Sequence, residues 1–205
     1  STPVRRVTRL PGGGVDIATD AGSGRFDAVV LACHSDQSLA LLDDASDAER
    51  AVLRAVRYHP NRAVLHTDTN VLPRKRRAWA AWNYERAPSA DREDASVCLH
   101  YLLNRLQPLP FAVPVIVSLN PITEPAAESV YGEFAYSHPV FDAAAMAAQD
   151  RLPSLQGLRD TWYCGAWTRY GFHEDGLASG LAVAEQIATH SARGERTATP
   201  VAVSA

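Results

Sequence analysis

The sequence has few of the residues that most often mark a function by themselves: it contains three cysteines and one methionine among 205 residues. The cysteines Cys33, Cys98 and Cys164 are odd in number, widely spaced and set in apolar sequence. This pattern argues against a disulfide framework and predicts buried thiols in a reducing, cytoplasmic compartment. The chain has no Cys-x-x-Cys pair and no closely spaced histidine pair, so the sequence predicts no metal site.

Long apolar runs and an excess of one charge are also lacking. The longest apolar run, Phe111 to Leu119, contains Pro114 and is too short to cross a bilayer. We therefore expect no transmembrane segment, and we expect no signal peptide. The formal net charge of -3 gives no reason to expect nucleic acid or an anionic membrane as a partner. The one strongly basic run, Arg74 to Arg77, fits either a phosphate-binding patch or a solvated turn.

The first part of the chain has the element order of a mixed α/β protein. Two alternating segments, Val4 to Leu10 and Val15 to Asp20, flank a Pro-Gly-Gly-Gly turn and predict a β-hairpin. Phe26 to Ala32 follows a polar turn, is apolar, and predicts an inner strand buried on both faces. Helices are predicted from about 36 to 42 and from about 47 to 56. The expected caps are Ser35 or Asp36 for the first helix and Ser46 or Asp47 for the second.

The middle of the chain predicts a mostly antiparallel sheet. Five strand-like segments are rich in aromatic residues and separated by short polar breaks. They run from 62 to 68, 78 to 86, 95 to 102, 113 to 119 and 129 to 137. A short alanine-rich helix is then predicted from 142 to 150.

The end of the chain returns to the α/β pattern. A strand is predicted from about 160 to 164 and a helix from about 176 to 190, and 191–205 is expected to be a flexible tail. Because the chain leaves for a second sheet and then returns, the order of elements predicts a discontinuous layout. We assign 1–56 and 155–190 to one domain and 57–154 to a domain inserted into it.

The stretch "WYCGAWTRYGFHEDGLASGLAVAEQIA", from Trp162 to Ala188, is the most informative. Gly165 follows the predicted strand and allows another group to approach the backbone closely. Asp175 is the expected cap of a helix that begins near Gly176 and is rich in small residues. A helix N-terminus carries unpaired N–H groups and stabilises an anion by about 0.3–1 kcal/mol. By spacing alone, the stretch is more typical of a helix that only packs on a strand.

The stretch also resembles a known family. "YCGAWTRYGFHEDGLASGLAVAE" is similar to the C-terminal flavin-contacting segment of the flavin-containing amine oxidase and phytoene desaturase-like superfamily. "FDAVVLACHSDQSLALL" resembles a strand and helix of the same superfamily. The likeness is closer to a bacterial branch of predicted NAD/FAD-binding proteins, through motifs at Val29 to Leu42, Trp79 to Tyr84, Leu103 to Gln107 and Gly171 to Ala184.

This resemblance implies an α/β flavoprotein with a Rossmann-like FAD domain and an inserted substrate domain on a mostly antiparallel sheet. The family's Gly-x-Gly-x-x-Gly fingerprint does not occur here, since Gly12 to Gly14 lie in the predicted hairpin turn. We therefore expect the chain to be the C-terminal portion of a longer flavoprotein. Its partner would be the N-terminal half of the same protein, and the chain alone would bind FAD weakly or not at all.

The resemblance also implies which residues meet the cofactor. Gly165 and Ala166 would lie along its ribityl and pyrophosphate chain, although Ala166-Trp167 departs from the polar residue that many relatives carry there. Asp175, Gly176 and Leu177 would face the N1–C2 carbonyl edge of the flavin with main-chain N–H groups. The remaining candidates, near the adenosine or pyrophosphate end, are Cys33 and His34, and His34 is equally typical of a helix cap.

Substrate residues are expected among the aromatic and titratable side chains, because the flavin performs the redox chemistry and the protein orients the substrate. The candidates are Trp79, Trp82, Tyr84, Tyr101, Tyr170, Phe172, His173 and Glu174. Each aromatic is also typical of a core position, and His173 and Glu174 fit either proton transfer or loop fixing. Amine oxidases of this superfamily commonly keep a lysine near the flavin, whereas the only lysine here is Lys75. An apolar substrate is therefore favoured, and analogy to flavoproteins found beside cyclopropane fatty-acid synthases points to a fatty-acyl chain.

Two other functions remain open at this stage. The chain would be a non-catalytic interaction domain if it keeps part of a flavoprotein fold without flavin. It would be a hydrolase if Cys33-His34 or Ser179 supplied a nucleophile and its base. The second is disfavoured because neighbouring residues on a strand point to opposite faces.

Overall fold

The computed structural model describes residues 2–86 and 98–194, with the side chains of 191–194 excepted. The protein forms two units, one drawn from Ser1–Arg57 and Pro139–Ala205 and the other from Tyr58–His138. The predicted fold class is confirmed, because the elements are mixed α/β and the larger sheet is mostly antiparallel. Within the described residues, no helix has both the length and the apolar character needed to cross a membrane.

The first unit begins with a three-stranded meander of β1 (Val4–Arg9), β2 (Val15–Thr19) and β3 (Gly22–Phe26). The predicted hairpin is confirmed, and β1 pairs antiparallel with β2. Gly14 has a φ of 75°, and a Cβ atom there would lie 2.7 Å from the carbonyl oxygen of Phe26, so the turn needs a glycine. The third strand was missed, because its Gly-Ser-Gly sequence is typical of a turn.

The inner strand β4 (Val29–Leu31) is shorter than predicted, since Phe26 belongs to β3. It pairs in parallel with β10 (Thr161–Tyr163). The expectation that the strand is buried on both faces is wrong: Val30 is 41% exposed. Alternate residues of a strand point to opposite faces, and the described residues cover only the face to which Val29 and Leu31 contribute.

The next two elements are the helices α1 (Ser35–Leu41) and α2 (Asp47–Leu53). The cap predicted for α2 is confirmed: Ser46 Oγ accepts from the backbone N–H of Glu49, and Glu49 Oε2 accepts from that of Ser46. The cap predicted for α1 is wrong. His34 is the N-cap residue, and Gln37 Oε1 accepts from its backbone N–H at 3.4 Å.

The second sheet has the strand order β6-β7-β8-β5-β9. Its strands are β5 (Arg57–His66), β6 (Trp82–Glu85), β7 (Cys98–Leu102), β8 (Ile116–Leu119) and β9 (Val130–Val140). The short helix α3 (Leu103–Leu106) follows β7. All five predicted strands occur, with the part of the third prediction at 95–97 lying outside the described residues.

The chain then returns to the first unit through α4 (Ala143–Arg151), β10 and α5 (His173–Gly194). Residues 139–154, which the sequence analysis placed in the inserted domain, belong to the first unit. One reason is that Gln149 of α4 donates from Nε2 to the carbonyl oxygens of Trp167 and Arg169. The backbone of α5 also continues to Gly194, into the part predicted as a tail. The functional labels given to the two domains stay predictions.

A buried ionic cluster joins three elements of the first unit. Arg9 of β1 and Glu49 of α2 are 3% and 4% exposed, and two N–O contacts of 2.8 and 3.0 Å join them. Tyr163 of β10 donates its hydroxyl to Glu49 Oε1 at 2.7 Å. Burial alone would raise the pKa of Glu49, but hydrogen bonds from Arg9, Ser46 and Tyr163 outweigh it and lower the pKa to about 2. Glu49 is therefore a carboxylate at neutral pH.

Candidate functional site

The predicted cofactor residues follow the ends of the parallel strands β4 and β10. The backbone N–H of Cys164 donates to the carbonyl oxygen of Leu31 at 3.1 Å, which extends the pairing by one residue. Cys33 lies two residues after Leu31, and Gly165 directly follows Cys164. Because the carboxyl ends of parallel strands share one edge of a sheet, these residues lie at the edge where α/β proteins bind ligands.

Gly165 has a φ of 137°, a region that favours glycine. A Cβ atom at this position would lie 3.0 Å from Cδ1 of Trp167, whose side chain is buried. The indole N–H of Trp167 donates to the carbonyl oxygen of Cys33 at 3.1 Å. Trp167 therefore fills the space beside the strand end, and its packing by itself explains the need for glycine at 165.

The helix α5 begins at His173, three residues earlier than predicted. Asp175 is therefore not the N-cap, which corrects the sequence analysis. Its side chain instead accepts from the backbone N–H of Phe172 at 3.0 Å, as the third helical residue does in a capping box. The backbone N–H of Gly176 already donates within the helix, to the carbonyl oxygen of Phe172. The N–H groups without an intrahelical acceptor belong to 173–175, so Gly176 and Leu177 do not offer the donors assigned to them.

Ser179 connects α5 to the strand end. Its Oγ accepts from the backbone N–H of Gly165 at 2.9 Å and donates to the carbonyl oxygen of Gly176 at 2.8 Å. A Cβ atom on Gly176 would lie 3.6 Å from the backbone nitrogen of Ala166, an ordinary contact distance. The structure thus brings together Gly165, Ala166 and Gly176 and holds the first two turns of α5 against the end of β10.

The same contacts weaken the hydrolase alternative. The Ser179 hydroxyl is engaged with backbone atoms. The sulfur of Cys33 lies 3.3 Å from Ser38 Oγ, and His34 is the N-cap residue of α1. The contacts described for Ser179 and Cys33 are with backbone atoms and a serine hydroxyl, not with the acid and base that a nucleophile requires.

The aromatic candidates of the second unit divide by sheet face. Trp82, Tyr84 and Tyr101 lie on one face of β6 and β7, where Trp82 is directly opposite Tyr101. These two rings pack edge to face with centroids 5.9 Å apart. Trp82 is 52% exposed and Tyr84 67%. Trp79 is different: it packs on the core cluster around Ile116, and its indole N–H donates to the carbonyl oxygen of Pro73. Its place is structural.

The candidates of the first unit lie around the start of α5. Tyr170 is 72% exposed and Phe172 56% exposed, and His173 and Glu174 are exposed in the first turn. Gly171 between them has a φ of 90°, and a Cβ atom there would lie 3.0 Å from the Phe141 ring. The structure therefore presents these side chains next to the N–H groups of the helix start.

Three residues that shape the site were not predicted as part of it: Trp167, Ser179 and Gln149. Ser179 was noted only as a small helical residue and a nucleophile candidate, and Trp167 only as a departure from the family pattern. The tight Gly-Ala-Trp sequence after a strand is the one local feature that indicates Trp167. No local feature indicates Gln149, which comes from an earlier helix.

The chain was compared with family models, with curated proteins and with solved structures, and only the solved structures gave matches. No family model matches the chain, and no curated protein matches its sequence. Among solved structures, it is similar to a fatty acid isomerase from P. acnes that produces CLA, with a TM-score of 0.58 and 18% identity over 90% of this chain and 47% of that one. It is also similar to a proposed protoporphyrinogen oxidase from Exiguobacterium sp. 255-15, with a TM-score of 0.62 and 16% identity over 92% of this chain and 47% of that one.

A third similar structure is a putrescine oxidase variant from a redesign of cofactor binding, with a TM-score of 0.57 and 9% identity over 92% of this chain and 48% of that one. At such identities the likeness shows the fold. The chain spans about half the length of each of these structures. The likeness agrees with the mixed α/β fold described above.

Proposed function

We propose that the chain is the C-terminal portion of an FAD-dependent oxidoreductase of the amine oxidase and desaturase-like type, acting in the cytoplasm. Two of the similar structures are named as oxidases and one as an isomerase, and the chain covers about half of each. The motif around Gly171 to Ala184 resembles the flavin-contacting segment of that superfamily. The fold and the motif thus point to the same enzyme class.

The observation that carries the proposal is the junction of β10 with α5. Gly165 and Ala166 follow the strand, and the first turn of α5 lies against them, held by Ser179. The N–H groups of 173–175 have no intrahelical acceptor and carry the positive end of the helix dipole. Such groups suit the N1–C2 carbonyl edge of a flavin, which gains negative charge on reduction.

The junction fits one part of FAD only. Among the described residues there is no strand, glycine-rich turn and helix with the Gly-x-Gly-x-x-Gly pattern for the diphosphate. We therefore propose that the N-terminal half of the same protein supplies that part. FAD, when bound, supplies the two-electron acceptor for a hydride from the substrate. This chain contributes the helix start, the exposed His173 and Glu174 as groups that hold a proton, and aromatic surface that excludes water.

An apolar substrate suits the exposed sheet face of the second unit. Trp82, Tyr84 and Tyr101 share this face with Leu99 and Val117, which lie opposite Tyr84 and Tyr101 on the neighbouring strands. Such a face favours binding of a hydrocarbon over binding of a polyamine. A polyamine is cationic, and the side chains described at these positions carry no acidic group to pair with it. A fatty-acyl chain is our proposed substrate class, and Trp82 fluorescence on addition of a fatty acid or a diamine would separate the two.

The test is the visible absorption spectrum of the protein expressed with its upstream coding sequence and purified without added cofactor. We expect the two bands of oxidised flavin. Replacing Gly176 with leucine places a side chain where its Cβ already meets Ala166 at 3.6 Å, so the bands should be lost or much weakened. Gly180→Leu is the matched control, because a Cβ atom at this position of the same helix has no neighbour within 4 Å.

Two results would contradict the proposal. A folded, colourless protein that ignores added FAD would favour the interaction-domain alternative. Equal flavin content in Gly176→Leu and Gly180→Leu would mean that the start of α5 does not touch the cofactor, whatever binds it elsewhere.

A further inference from the structure

The second sheet has a buried face that the proposed function does not use. Cys98 and His100 are two residues apart on β7 and therefore point to the same side. Glu85 of β6 lies directly opposite Cys98 and joins them there. Cys98 and His100 are buried, with 0% and 1% exposure, whereas Glu85 is half-buried. The strand register thus places a thiol, an imidazole and a carboxylate together at one end of the sheet.

The three possible ligand atoms are close together and nearly equidistant. Cys98 Sγ lies 3.5 Å from His100 Nε2 and 3.6 Å from Glu85 Oε2, and His100 Nε2 lies 3.0 Å from Glu85 Oε2. Tetrahedral zinc with ordinary bond lengths requires about 3.5 Å for sulfur to nitrogen, about 3.5 Å for sulfur to oxygen and about 3.3 Å for nitrogen to oxygen. The triangle needs an adjustment of only a few tenths of an ångström to bind the ion.

We propose that Glu85, Cys98 and His100 form a zinc site in the second sheet. No metal site was predicted from the sequence, because it contains no Cys-x-x-Cys pair and no closely spaced histidine pair. Here the ligands come from two strands, and the local pattern is only Cys-x-His. The half-buried carboxylate leaves a route by which water or another small ligand takes the fourth position.

Charge and ligand type favour zinc. A thiolate and a carboxylate balance the two positive charges of Zn²⁺, so the bound cluster carries no net charge in a buried place. On binding, the Cys98 thiol forms the S–Zn bond and loses its proton to solvent. A set of sulfur, nitrogen and oxygen atoms suits zinc, whereas magnesium and calcium prefer oxygen alone.

The neighbouring residues orient the histidine as the outer ligands of zinc sites do. His100 Nδ1 lies 2.6 Å from Ser118 Oγ, which in turn lies 2.7 Å from His66 Nε2. The backbone N–H of Asp68 donates to His66 Nδ1, so His66 carries its proton on Nε2 and donates to Ser118. With zinc on Nε2, His100 donates from Nδ1 to the same hydroxyl oxygen, which accepts both bonds.

The test uses the full chain, expressed in zinc-supplemented medium and analysed for metal after extensive dialysis. We expect about one zinc per chain, because the three ligands form a single site. Cobalt exchanged into the protein should give the near-ultraviolet charge-transfer band of a cobalt–thiolate bond. Cys98→Ser should abolish the band, and Cys164→Ser, at a buried thiol of the other unit, should keep it.

If Cys98→Ser harms folding, Glu85→Gln provides the second test of the zinc site. It replaces a half-buried side chain by one of the same shape. We expect it to lower zinc affinity at least about tenfold, with Glu128→Gln, an exposed glutamate of the same unit, unchanged. Absence of both zinc and the cobalt–thiolate band in the folded wild-type protein would overturn the proposal. So would equal zinc affinity in wild type, Glu85→Gln and Cys98→Ser. The flavin spectrum is independent of these results.

Discussion

The two units each contain a buried cluster of polar side chains, and the clusters differ in how they balance charge. In the first unit, Glu49 is paired with Arg9, which supplies a permanent cation. In the second unit, the partners described for Glu85 are Cys98 and His100, neither of which carries a fixed positive charge. The first cluster is complete with the side chains of its own unit, whereas the second has the geometry of a site that binds a cation.

They also differ in what they connect. The first cluster joins residues 9, 49 and 163, and so holds together the two separated segments of the first unit. The second joins side chains from neighbouring strands of one sheet. Loss of the first should therefore harm folding most, while loss of the second should alter binding first and folding less.

The largest effect is expected from Glu49→Gln. The substitution removes one of the two carboxylates that contact the buried Arg9 guanidinium, the other being Asp44, whose Oδ1 lies 2.6 Å from Arg9 Nε. Breaking a buried ion pair by removing one partner costs about 3 kcal/mol or more in other proteins. Urea unfolding followed by far-ultraviolet circular dichroism would measure the free energy of unfolding. Asp47→Asn, in the same helical turn but exposed, is the control and should change it by less than about 0.5 kcal/mol. Equal effects of the two variants would show that the ion pair does not stabilise the unit.

Acid should weaken the first cluster in a defined pH range. The pKa of Glu49 is about 2 in the folded protein, against an ordinary value of 4.5. Because the folded pKa is the lower one, the stabilisation is complete above pH 4.5 and is lost as the pH falls towards 2. The loss should approach about 3 kcal/mol, since each pKa unit corresponds to about 1.4 kcal/mol.

The check is the difference in unfolding free energy between wild type and Glu49→Gln across this pH range. It should shrink as the pH falls, because protonation removes from the wild type the same charge that the substitution removes. A constant difference would mean that Glu49 titrates at its ordinary pKa and that the cluster stabilises by packing alone.

Neither cluster was predicted from the sequence, although most of the elements that carry them were. The hairpin at Pro11 and the helix cap at Ser46 are local patterns, and both occur as predicted. The clusters depend on residues that are far apart in the chain or on different strands. Strand register decides whether Glu85 meets Cys98, and a single-residue shift would place them on opposite faces.

In the candidate site too, features set by neighbouring residues were predicted, and features set by residues distant in the chain were not. The sequence located Gly165 and Gly176 because glycines after a strand and at a helix start are local features. The start of α5 was misplaced, because the residue before the helix is Phe172, whose side chain is not one that typically caps helices. Asp175 instead accepts from the backbone N–H of Phe172. The sequence also could not distinguish Trp79 from Trp82, because both are tryptophans in one motif and only packing makes one of them part of the core.

The smallest effect is expected from Ser118→Ala in the second cluster, measured in a chelator so that metal makes no contribution. Ser118 Oγ lies between His66 Nε2 and His100 Nδ1, and its removal leaves two buried ring nitrogens without their partner. Because Ser118→Ala removes hydrogen bonds without removing a formal charge, the loss should be about 1–2 kcal/mol, below that of Glu49→Gln. Ser23→Ala, an exposed strand serine, is the control for loss of a hydroxyl. A loss as large as that of Glu49→Gln would mean that the second cluster holds the fold as firmly as the first, and that the distinction between a closed ion pair and an open ligand set is wrong.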